Sequence, residues 1–200
     1  MNLDKDVWDY FVAVHQHCNT IEFTFDKKNS LYIPLFTTSI EHCLSIHVLD
    51  REELTGSAFA LARPMIENYL RAMWVKYVLK EDQIPDGCEQ LHFPKRIETL
   101  LNEVDQAVLK EENFGHYKLT IEPIVMNMHD FTHGGVQSIA RLYGEDGNLS
   151  WDRSPEERGE LLKLAILTSS LSYQKLTPFM ECSRPSIEIL DMGKKLLERI

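Results

Sequence analysis

One stretch limits this chain more than any other: SAFALARPMIENYLRAMWVKYVLK, residues 57 to 80, is apolar on nearly every side at helical period. A helix without a wide polar face belongs in the middle of a bundle, so the rest of the chain must supply helices to cover it. The periodicity provides them. Residues 4 to 18 place Val7, Trp8, Phe11, Val14 and Cys18 at three- and four-residue steps, and a second helix spans residues 34 to 49 with Pro34 suited to its first turn. Pro94 opens a more polar helix to residue 109, with Ile97, Leu100, Leu101, Val104 and Val108 on one stripe. A fifth helix covers residues 117 to 132 and meets Gly134 and Gly135. Ser154, Pro155 and Glu157 then form a capping serine, a first-turn proline and a glutamate three residues after the cap, opening a helix that runs to residue 180. Its middle, LTSSLSYQ, has the small residues that permit close helix contact. Pro185 starts the last helix. The segment IEFTF, residues 21 to 25, alternates like a strand but has no second strand to pair with, so it reads as an extended connection. The expectation is an all-α fold, a single domain over residues 1–200, built as an up-and-down bundle of six or seven helices.

Composition narrows the function. At 44% hydrophobic the chain can fill a core, and 9 Gly with 8 Pro in 200 residues argues against a turn-dense β sandwich. A net charge of −10 repels phosphate backbones, so RNA or a nucleotide is not favoured except at a local basic pocket. Asp4, Lys5 and Asp6 interrupt the N-terminus before a secretory apolar run can form, and no stretch has the roughly 18 apolar residues of a membrane span. Cys18, Cys43, Cys88 and Cys182 stand singly, which reads as reduced thiols in a cytoplasmic protein. No cofactor and no metal are expected.

Two polar constellations stand out. Arg63, Glu67 and Arg71 are four residues apart, each rotated about 40° from the last, with Trp74 in the same arc. Such a run pairs internally but leaves one cation over, and a buried charge needs a partner. Either Glu41, Asp130 or another carboxylate supplies it, making a register-fixing network, or the arginines hold a phosphate or carboxylate ligand. Pro64 within this helix cannot bond back to the carbonyl of Ala60 and predicts a kink. The second constellation is His129 and His133, four apart, with Asp130 adjacent and Glu122 two turns back. The string H-D-F-T-H lacks the glutamate of the metalloprotease helix, and no third zinc ligand is evident. His133, before two glycines, suits either a proton-transfer role or the capping of its own helix. His15 with His17 and His42 with His47 show no spacing to argue from.

Arg63-Pro64-x-x-Glu67-x-x-x-Arg71-x-x-Trp74, followed by Asn127-x-x-x-x-Phe131-Thr132-His133-Gly134-Gly135, resembles a group of uncharacterised bacterial helical proteins of about this length. That group is similar to the HEPN superfamily, whose helical bundles commonly dimerise and, in active members, cut RNA without a metal through an arginine and a histidine four to six residues apart. The resemblance implies a homodimer, a further protein partner, and a place in a defence or toxin system. It puts His133, Arg71, Glu67, Arg63 and His129 forward as the catalytic candidates. Asn127 stands six positions before His133, where the active pattern has arginine. The favoured expectation is therefore a non-catalytic dimeric interaction module of HEPN-like ancestry, the alternative being a metal-independent ribonuclease or nucleotide-binding protein.

Overall fold

The computed structural model describes residues 2–23, 25–85, 91–94, 96–112, 148, 153–180 and 183–200. Among these the chain is all-helical, with six α-helices: α1 (Leu3–Cys18), α2 (Asn29–Arg51), α3 (Thr55–Tyr77), α4 (Ile97–Glu112), α5 (Pro155–Leu176) and α6 (Ser183–Leu197). The helix expected over residues 117 to 132 lies outside the described residues.

The apolar sequence of α3 does what its composition requires. Ala58, Ala62, Met65, Ile66, Tyr69, Leu70, Ala72, Met73 and Val75 are buried, while Ala60 is only partly covered. Helix α2 forms its main partner, with α4 and α5 against other faces. Ser39 on α2 donates to the carbonyl oxygen of Met65 on α3 at 2.9 Å, pinning the two where they approach. A tight turn joins them: Leu54 N–H reaches the carbonyl of Leu49 at 2.8 Å, Glu53 N–H reaches that of Asp50 at 3.1 Å, and Glu53 adopts φ 60°. This is the closing motif of a helix end, with glutamate where glycine is usual.

Several boundaries differ from those read in the sequence. Helix α2 begins at Asn29, so Pro34 is interior and no longer in the first turn. Asp26 is the cause: its Oδ1 accepts from the backbone N–H of Asn29 at 2.7 Å and starts the helix early. Pro34 then lacks the N–H that would bond the Ser30 carbonyl. Helix α3 ends at Tyr77, short of Lys80, which turns into a 3₁₀ segment (Glu81–Gln83). Pro94 precedes α4 instead of opening it, although the expected stripe of Leu100, Leu101, Val104 and Val108 is buried. The capping box of Ser154 and Glu157 is present, but α5 stops at Leu176, where a 3₁₀ turn (Thr177–Phe179) contains Pro178. Helix α6 starts at Ser183, putting Pro185 two residues inside. The extended segment after α1 finds a partner in one isolated bridge, Ile21 to Met180, with Glu22 N–H donating to the Phe179 carbonyl at 2.9 Å.

Thr168, Ser169 and Ser172 of α5 are buried, as the small-residue run predicts. Tyr10 Oη lies 2.7 Å from Ser170 Oγ, and Gly193 of α6 completes this junction: a Cβ there would sit 2.6 Å from Ser170 Oγ and 3.1 Å from Tyr10 Cε2. Cys18 and Cys43 are free thiols inside the core, and burial pushes the Cys18 thiol up to about 12 and that of Cys43 higher still. Among the described residues no helix is long and apolar enough to cross a membrane.

Candidate functional site

The four-residue spacing on α3 brings its charges together as expected. Arg63 Nε donates to Glu67 Oε1 at 2.8 Å, and an Arg71 terminal nitrogen donates to Glu67 Oε2 at 3.1 Å. One carboxylate thus serves both guanidinium groups, an oxygen for each. The stripe is not buried: the Arg63, Glu67 and Arg71 side chains are 17%, 22% and 38% exposed. Water therefore shares the cost of the surplus cation, and the carboxylate sought from α2 is not needed. Glu41 is exposed. Asp130 lies outside the described residues. One Arg63 terminal nitrogen, Nη1, is nonetheless buried with no hydrogen-bond partner among the described residues.

Trp74, one turn beyond Arg71, is held from a different helix. Its indole N–H donates to Glu103 Oε2 of α4 at 2.6 Å, and Phe93 meets its ring edge-on at 5.8 Å between centroids. The Arg71 guanidinium lies 5.6 Å over the Phe93 ring. Sequence reasoning included Trp74 in the arc and missed Glu103 and Phe93. Glu103 falls off the apolar stripe of α4, and nothing in the spacing says which helix it faces.

His129 and His133, the remaining site candidates, lie outside the described residues, as does Asn127. Among the described residues no three His, Cys, Asp or Glu side chains converge as metal ligands do.

A second polar cluster escaped the sequence altogether. His47 of α2 is 3% exposed, and its Nε2 has no hydrogen-bond partner among the described residues. Asp4 Oδ1 of α1 is 3.7 Å away and also lies 3.4 Å from Arg51 Nε. Beside them Arg158 of α5 grips Asp50 with two side-chain bonds, 2.7 and 3.1 Å, and donates to the Asp50 carbonyl at 3.1 Å. Burial lowers the His47 pKa below the usual imidazole value, opposed by the charge of Asp4.

The sequence profile of DUF6988, a family of unknown function, matches residues 36–150. The chain belongs to this family. Arg63, Glu67, Arg71, Trp74, Phe93 and Glu103 all fall inside the DUF6988 match, whereas Asp4 and Arg158 of the His47 cluster fall outside it. No curated protein and no solved structure matches the chain.

Proposed function

We propose that this DUF6988 member is a non-catalytic cytoplasmic interaction module, an up-and-down bundle of HEPN-like ancestry that works as a homodimer, and that its Arg63, Glu67, Arg71 stripe is structural. One observation carries the reading: Glu67 engages both arginines within their own helix, so the charges that would bind substrate already have a partner. The test compares Glu67→Ala, Arg71→Ala and His133→Ala by thermal melting and by a ribonuclease assay on the same samples. Structural charges make Glu67→Ala the least stable of the three, with no cleavage by the unmodified protein. Three stable variants that lose a cleavage activity present in the parent refute the reading. Sedimentation of the unmodified protein at micromolar concentration checks the dimer, a lone 23.3 kDa species counting against it.

A second reading, the metal-independent ribonuclease or nucleotide-binding protein, draws on the unpartnered Nη1 of Arg63 and the exposure of Arg71. In that reading the two arginines hold phosphate and His133 moves the proton. The assay above separates the two.

A further inference from the structure

Beyond the C-terminal end of α3 the surface sinks into a cavity of about 630 Å³, within the size range of small-molecule sites. Trp74, Leu79 and Leu91 give it apolar walls, and Lys80, His92 and Glu103 bring polar groups to the same space. We propose that this cavity binds a small planar aromatic molecule carrying one anionic group.

The argument starts from Trp74. Its indole is fixed on two sides, by the hydrogen bond to Glu103 and by the edge contact with Phe93. A ring held in place before binding offers a stacking surface at little entropic cost. Gln83 Oε1 accepts from the Lys80 backbone N–H at 3.1 Å and closes the 3₁₀ turn that begins at Lys80, both residues also lining the cavity. A flat apolar ligand thus has a platform, and Lys80 is the cation among the lining residues described. Glu103 fixes the orientation, because a ligand's anionic group must sit away from that carboxylate and toward Lys80. Neither Lys80 nor Glu103 belongs to the hydrogen bonds of the Arg63, Glu67, Arg71 network.

The test follows the Trp74 indole N–H by nuclear magnetic resonance, the signal assigned with Trp74→Phe, while four probes are titrated. Benzoate and adenosine monophosphate combine ring and charge. Benzyl alcohol has the ring alone, and inorganic phosphate the charge alone. Saturable shifts are expected with at least one of the first two, and which one saturates tells a carboxylate from a phosphate ligand. Lys80→Glu should weaken that binding about fivefold, the size of a single exposed ionic contact. Glu103→Gln keeps an acceptor for the indole while removing the repelling charge, so it should tighten binding about threefold. A merely structural Glu103 does not produce that gain. The proposal fails if no probe saturates, if phosphate or benzyl alcohol alone does as well, or if both variants leave the affinity unchanged.

Discussion

The stripe on α3 and the His47 cluster are both built from charged side chains around guanidinium groups, yet they are satisfied in different ways. On α3 one carboxylate serves two arginines of the same helix at four-residue spacing. Around His47 the partners come from α1, α2 and α5, and the bidentate pair of Arg158 with Asp50 spans two helices whose residues are 108 positions apart. The first arrangement exists as soon as α3 forms. The second exists only when three helices have docked, so its energy depends on the tertiary fold. Intrahelical pairs of this kind contribute a few tenths of a kcal/mol each. The Arg158–Asp50 pair is no deeper, its side chains 38% and 20% exposed, but it is bidentate and adds a bond to the Asp50 carbonyl, so it has more charge-assisted hydrogen bonds to lose.

That contrast can be broken by mutation. Arg158→Ala should have the largest effect, a loss of about 2 to 3 kcal/mol read by chemical denaturation, because it removes three hydrogen bonds from α5 to Asp50 of α2, two of them to the carboxylate. Glu67→Ala should cost about 1 to 2 kcal/mol, less than a fully buried network, since water reaches all three stripe residues. A larger loss at Glu67 than at Arg158 would reverse the comparison. The third effect depends on pH. Burial makes His47 take up a proton less readily in the fold than in the unfolded chain, whose imidazole has a pKa of about 6.5, so stability falls as the pH drops through that region. Asp4 and Asp50 oppose this loss and Arg51 adds to it. His47→Gln should therefore flatten the stability profile between pH 7 and 5. The smallest effect has the opposite sign. Glu53→Gly, in the turn between the two regions, should stabilise by about 0.5 kcal/mol by relieving a positive φ, without altering either cluster.

The same contrast explains what was legible in the sequence. Arg63, Glu67 and Arg71 could be paired by counting, because helical geometry fixes neighbours at four residues. The capping box at Ser154 and the buried stripe of α4 were legible for the same local reason. Glu103 under Trp74, Asp4 beside His47 and Asp50 under Arg158 were not, because each depends on which helix faces which. The early start of α2 was missed because Pro34 is a strong start signal and the competing one, Asp26, acts from outside the helix. The depth of the stripe was misjudged too. A helix apolar by count still turned one charged face to partial exposure, since burial belongs to the packing and not to the pattern.

The most direct test of the account is a pair of double-mutant cycles measured in low and high salt, Arg71 with Glu67 and Arg158 with Asp50. The account predicts a coupling of about 0.5 kcal/mol for Arg71 with Glu67 that fades in high salt. For Arg158 with Asp50 it predicts a coupling at least twice as large, the pair being bidentate. No coupling between Arg71 and Glu67, together with single variants as stable as the parent, would contradict it and return the arginines of α3 to the ligand-binding role.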